Sequence, residues 1–233
     1  MLHDIKDMFS LEGKKALVVG GAGGLGIPIC LALMHSGADI AVADIDLTCT
    51  SELVRETVAA GRKYLGVKTD ILMNASIEQM VQQVIDAFGR IDILVHAAGI
   101  NILKNAEDYD EESWDKVMDT NIKGIHLVSK VVGKQMIAQK YGRIVSISSV
   151  RSILGMSKDY IAYCTSKGAV NMYTKQIACE WAKYGITCNA VAPTFTRTRM
   201  NSFMLDDPEF YENLVSRIPL GRICRVEDIA AAT

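Results

Sequence analysis

Short runs of apolar residues recur along the chain, separated by longer stretches in which apolar residues return at helical spacing. The runs fall near 15–20, 39–43, 64–68, 91–97, 142–148 and 187–192. A strand buried on both faces of a parallel sheet reads as a continuous apolar run rather than as an alternation. The segments between the runs read as helices, the long ones lying near 111–138 and 160–183. Strand and helix in alternation predict an α/β fold, a doubly wound parallel sheet with helices on both faces. No internal repeat, low-complexity tract or linker interrupts the pattern, so residues 1–233 are expected to form a single domain.

The first apolar run, Ala16-Leu17-Val18-Val19, leads into Gly20-Gly21-Ala22-Gly23-Gly24-Leu25-Gly26 and then into Ile27, Ile29, Leu31, Ala32 and Leu33 at helical density. Strand, glycine turn and helix in that order form the Rossmann-like context for binding a dinucleotide. Glycines let the backbone approach a pyrophosphate, and the following helix offers free N–H groups and the positive end of its dipole. Pro28 falls in the first turn of this helix, where its missing N–H costs little. Asp44 ends the second run, Asp39-Ile40-Ala41-Val42-Ala43. An acidic group about twenty residues beyond the glycine turn accepts hydrogen bonds from the adenosine ribose and repels a 2′-phosphate. The turn carries no Lys or Arg and Ile45 follows Asp44, so NAD is the expected cofactor rather than NADP.

Tyr163 and Lys167 are spaced to share one helix face. A free phenol, with a pKa of about 10, is a poor base at neutral pH. An ammonium group held close to it favours the phenolate and would bring it into range for acid/base work. Taken alone, the spacing is that of many solvated helix faces; it gains weight beside the glycine turn.

Composition sets limits on function. Nearly half of the residues are hydrophobic and the formal net charge is −2, so nothing points to nucleic acid as a partner. The six cysteines form no C-x-x-C pair and no cluster at metal spacing, so they read as reduced thiols and no metal is expected. No apolar run reaches transmembrane length, and the charged opening Met-Leu-His-Asp-Ile-Lys-Asp lacks the apolar stretch of a signal peptide. A cytoplasmic location without membrane attachment is the expectation.

Together these residues resemble the short-chain dehydrogenase/reductase family in its single-domain form. Gly20, Gly24 and Gly26, with Leu25 between the last two, match the family's T-G-x-x-x-G-x-G cofactor turn, Val19 replacing the threonine. Thr69-Asp70, with Ile71 next, matches the aspartate that meets the adenine. His96-Ala97-Ala98-Gly99 matches the N-A-A-G segment, His96 standing for asparagine and reading as a packing residue. Asn121 matches the helix asparagine of the catalytic tetrad, and Ser149 its serine, with Ser148 as the alternative alignment. Tyr163 and Lys167 complete that tetrad and also belong to the cofactor site. Pro193-Thr194-Phe195-Thr196-Arg197-Thr198 is similar to the segment whose final threonine holds the nicotinamide amide, with Thr194 where the family has glycine. The resemblance implies an NAD-dependent oxidoreductase interconverting an alcohol and a ketone, in which Tyr163 is the acid/base and Ser149 steadies the substrate oxygen. By the same resemblance Lys167 depresses the Tyr163 pKa and holds the nicotinamide ribose. Asn121 anchors a water that passes protons to Lys167, and the enzyme is a homotetramer or homodimer.

The resemblance implies that the chain continues through a last strand after Thr233, so the end at Thr233 is expected to be a truncation rather than the natural end of an enzyme without that strand. The expected substrate is a small molecule. Arg151 and Lys158 in one loop, and Arg197 and Arg199 in the other, favour an anionic one such as a sugar acid, because guanidinium groups suit carboxylates. The stretches around Ser148–Gly155 and Ser166–Val170 resemble gluconate 5-dehydrogenase-type members. Hydroxysteroid dehydrogenase or 3-oxoacyl reductase activity is the alternative enzymatic reading. A non-catalytic NAD-binding sensor is the alternative from another class.

Overall fold

The computed structural model describes residues 5–157, 159–199 and 201–233. After a short helix α1 (Ile5–Met8), six parallel strands form one sheet: β1 (Lys15–Val19), β2 (Asp39–Asp44), β3 (Tyr64–Lys68), β4 (Ile93–His96), β5 (Gly142–Ile147) and β6 (Ile186–Val191). Their order is β3-β2-β1-β4-β5-β6. The order reverses between β1 and β4, and in such sheets ligands bind outside the carboxyl ends of the strands at that crevice.

Alternation along each strand sorts its side chains to two faces. Leu17, Val19, Ala41, Ala43 and Leu94 meet α4 (Asn74–Phe88), α6 (Gly124–Gln139) and α7 (Ile161–Trp181) through Ile77, Val132 and Ile177. Ala16, Val18, Ile40, Val42 and Val95 face the other way. They pack on α2 (Gly26–His35), α3 (Ser51–Ala59) and α10 (Val226–Ala230) through Ile29, Leu53 and Ile229. Both faces of the central strands β1, β2 and β4 are therefore dry, which explains their unbroken apolar runs in the sequence, whereas the edge strand β6 alternates buried with exposed positions. A third, smaller cluster holds Phe195, Leu205 and Leu214 with Tyr160, Met204 and Phe210 around them. It gathers the segment after β6, including α8 (Ser202–Leu205) and α9 (Pro208–Ser216), into a lid over the carboxyl edge.

Two boundaries differ from the sequence reading. The run at 91–97 becomes a strand only from Ile93, because the Ile91 N–H and C=O are both taken by the Gln139 side chain, at 3.2 and 2.8 Å. The expected helix over 111–138 is broken into α5 (Glu111–Met118) and α6 by a π-helical turn at Asp119–Lys123. Asn121 lies in that turn, fully buried.

Candidate active site

The carboxyl ends of β1, β4, β5 and β6, together with the lid, enclose a cavity of about 850 Å³. The glycine turn forms one end of it. Gly20 has φ +78°, and a Cβ there would stand 2.3 Å from the Ala98 backbone nitrogen, so only glycine fits between the two chain segments. Gly26 is equally constrained, since its Cβ would fall 2.1 Å from the Gly20 carbonyl oxygen. The turn is pinned by the Gly20 N–H to Ala43 O at 2.8 Å, and by the Ala22 N–H to Asp44 Oδ2 at 3.0 Å. Neither the Gly24 nor the Leu25 N–H has a protein acceptor among the described residues. These free donors at the start of α2 fit a pyrophosphate.

At the other end Ser149, Tyr163 and Lys167 come together. Ser149 follows β5 in extended conformation, and its hydroxyl lies beside the Tyr163 phenol. The Ser148 hydroxyl instead donates to Asn171 Oδ1 at 2.6 Å. Asn171, one turn beyond Lys167 on α7, also donates to Ser152 Oγ at 2.7 Å, and Ser152 donates to the Ser149 carbonyl at 2.6 Å. The loop carrying Ser149 is thus tied to the helix carrying Tyr163. This brace was missed in the sequence, although the spacing of Lys167 and Asn171 held the signal.

Lys167 is almost completely buried, and its ammonium donates to the Ile147 carbonyl at 2.7 Å while standing 5.6 Å from the centre of the Tyr163 ring. Burial lowers the Lys167 pKa to about 8. Burial raises that of Tyr163, with the Ser149 hydroxyl and the Arg151 charge pulling the other way. The bond to the neutral Ile147 carbonyl leaves the ammonium charge in place, so it does not remove the expected influence of Lys167 on the phenol. Asn121 is held from three sides. Its Oδ1 accepts from the Ile100 N–H at 2.8 Å, and its Nδ2 donates to Ile100 O at 2.9 Å and to Ser166 Oγ at 3.0 Å. The side chain clamps the backbone after Gly99.

Gly24, Leu25, Gly26, Gly99, Pro193 and Thr198 line the cavity along with Ser149, Tyr163 and Lys167. Gly20, Ala98 and Asn121 lie behind its wall and shape it. Asp44, Asp70 and Ile71 sit further along the carboxyl edge, outside that wall. Asp44 is half-buried with one oxygen on the Ala22 N–H and the other 3.3 Å from the Asp46 N–H. Asp70 accepts from the Leu72 N–H at 2.9 Å, and Ile71 packs where a Cβ on Gly124 would collide with it. His96 is buried, bonded to Ser129 Oγ at 2.9 Å and held neutral, its pKa pushed by burial down to about 3.

The basic loop residues separate. Arg151 lines the cavity, bonded to Gly155 O at 2.9 Å and 5.9 Å from the Phe195 ring. Arg197 lies outside it, paired with Asp206 at 2.5 Å. Arg199 lines it near Cys49, and Lys158 is outside the described residues. Tyr160, Asn101, Phe203 and Met204 also contribute walls that sequence reasoning did not single out. Among the described residues there is no group of three His, Cys, Asp or Glu suited to a metal, and no helix long and apolar enough to cross a membrane.

A switch-point crevice with a glycine turn at one end and a Ser–Tyr–Lys group at the other defines a dinucleotide-dependent oxidoreductase. Residues 14–209 match the short chain dehydrogenase family, and the chain belongs to it. It is 34% identical to the NAD-dependent glycerol dehydrogenase of Listeria innocua over 96% of this chain and 86% of that one. It is 35% identical to the 2-dehydro-3-deoxy-D-gluconate 5-dehydrogenase of Escherichia coli K12, covering 94% and 85% of the two chains. Its structure is similar to that of a gluconate 5-dehydrogenase from Burkholderia cenocepacia in complex with NADP and tartrate. That match has a TM-score of 0.93 and 31% identity, over 98% of this chain and 89% of that one. The resemblance to gluconate 5-dehydrogenase-type members of an oxidoreductase family is thereby established, as is the Rossmann-like sheet.

Proposed function

We propose that the protein is an NAD(H)-dependent dehydrogenase that interconverts a secondary alcohol and a ketone, with Tyr163 as acid/base and a sugar acid or polyol as substrate. The observation that carries this reading is the placement of Ser149 beside Tyr163 at the end of the cavity remote from the glycine turn. When bound, the nicotinamide ring supplies the hydride acceptor for oxidation and the donor for reduction. Tyr163 takes the proton of the substrate hydroxyl in oxidation and returns it in reduction. The Ser149 hydroxyl holds the same oxygen, as a fixed donor does where negative charge develops. Lys167, an uncompensated cation next to the phenol, stabilises the phenolate that oxidation requires and is positioned to hold the nicotinamide ribose. Asn121 acts through the Gly99–Ile100 backbone that forms the floor beside Lys167.

Asp44 supports NAD over NADP, since it braces the glycine turn and keeps carboxylate lone pairs for a ribose. The substrate class rests on Arg151, which among the described loop cations lies on the cavity wall near Tyr163. A survey of turnover with NADH and NADPH against sugar acids, polyols, steroids and 3-oxoacyl compounds tests the reading. Preference for NADH and for hydroxylated acids or polyols supports it. Preference for steroids or acyl substrates gives the runner-up activities, and binding without turnover gives the sensor.

A further inference from the structure

We propose that Arg199 is a cofactor-binding residue, delivered by the lid to pair with the pyrophosphate of the bound dinucleotide. This rests on the nicotinamide-cofactor reading above. Three cations line the cavity among the described residues: Arg151, Lys167 and Arg199. Lys167 is committed to Ile147 O deep in the fold, and Arg151 to Gly155 O at the Tyr163 end. Arg199 differs from both, and from Arg197 two residues earlier. It forms no ion pair within 4.0 Å with any described residue: its Nη1 donates to Cys49 Sγ at 3.2 Å, a weak acceptor, and the nearby Asp46 carboxylate feels its charge without being bonded to it. The neighbouring Thr198 rests on the glycine turn, where a Cβ on Gly24 would stand 3.1 Å from Thr198 Cβ. Arg199 therefore lines the same cavity as Gly24 and Leu25, next in sequence to the residue that meets the turn.

The free N–H groups of Gly24 and Leu25 and the α2 dipole, worth about half a charge, leave a pyrophosphate largely uncompensated. The segment Gly20–Gly26 contains no cation of its own. A guanidinium fork matches phosphate oxygens, and such charge-assisted bonds are roughly twice as strong as neutral ones. Exchange of the Cys49 thiol for a phosphate oxygen is thus favourable. It also couples the lid to the cofactor, because Thr198 and Arg199 belong to one segment.

The test is direct binding, by NADH fluorescence and by calorimetry with ADP-ribose, adenosine and NADPH, to wild type, Arg199→Gln and Arg199→Lys. Arg199 is exposed, so its replacement leaves the core intact, and circular dichroism checks this. Arg199→Gln should weaken NADH and ADP-ribose by about tenfold, leave adenosine within about twofold, and flatten the salt dependence of NADH binding. Arg199→Lys should recover part of the loss. Unchanged NADH and ADP-ribose affinities would overturn the proposal. So would a loss confined to NADPH, which would assign Arg199 to a 2′-phosphate, or a rise in KM for an acidic substrate alone. Failure of the wild type to bind any of these nucleotides would remove the cofactor reading itself.

Discussion

At the scale of single residues, His96 and Asp44 make sharply different predictions. His96 stays neutral in the fold, with a pKa near 3 against an ordinary 6.5. Between these values the unfolded chain binds a proton that the folded chain refuses, so stability falls as pH drops below about 6.5. At pH 5 this one group removes about 2 kcal/mol. Urea unfolding at pH 7 and pH 5 measures the effect, and His96→Asn should lose that share of the acid sensitivity; an unchanged slope would place the sensitivity elsewhere. For Asp44, the preference for NADH over NADPH should reach at least about tenfold in kcat/KM, or about 1.4 kcal/mol. Asp44→Ala should narrow it by removing both the ribose acceptor and the repulsion. Equal efficiency of the wild type with NADPH would refute the assignment. Both residues were visible in the sequence, His96 as a departure from a motif and Asp44 as the end of an apolar strand. The partner of His96, Ser129, was not, because it lies on a helix whose register against β4 only the folded sheet defines.

Among the elements, strands and the glycine turn were legible because burial on two faces and a tight backbone approach each leave a mark in composition. The π-helical turn at Asp119–Lys123 leaves none. Its residues suit a helix as well as their neighbours do, and the clamp that explains it joins Asn121 to Ile100 across the fold. Asn121→Ala would take the partners from the part-buried N–H and C=O of Ile100, costing about 1–3 kcal/mol in denaturant unfolding and lowering turnover as the wall beside Lys167 loosens. A loss below about 0.5 kcal/mol would mean that the clamp is replaceable. The lid was legible only as a basic segment. Its own small core, Phe195 with Leu205 and Leu214, draws on residues too far apart for periodicity to join, and it decides which arginines face the cavity. Arg151→Gln should therefore raise KM for a keto acid by about ten- to a hundredfold while leaving its amide nearly unchanged. Arg197→Gln should do neither, since Arg197 faces Asp206. Equal effects of Arg151→Gln on acid and amide would sink the anionic-substrate reading without touching the assignment of the family.

For the whole molecule, the sheet order brings residues from both ends of the chain to one crevice, with Gly24 of the turn meeting Thr198 of the lid. Order along the sequence could not state that contact, although the order of motifs predicted which edge would hold it. The account's central claim is that Tyr163 moves the proton while the rest of the site holds cofactor and substrate in place. Turnover and NADH affinity of Tyr163→Phe, measured side by side, test it most directly. Loss of the phenolic hydroxyl removes the proton path, so kcat should fall by at least about 100-fold while the dissociation constant for NADH stays within about twofold. A variant that keeps more than about a tenth of wild-type turnover would contradict the claim.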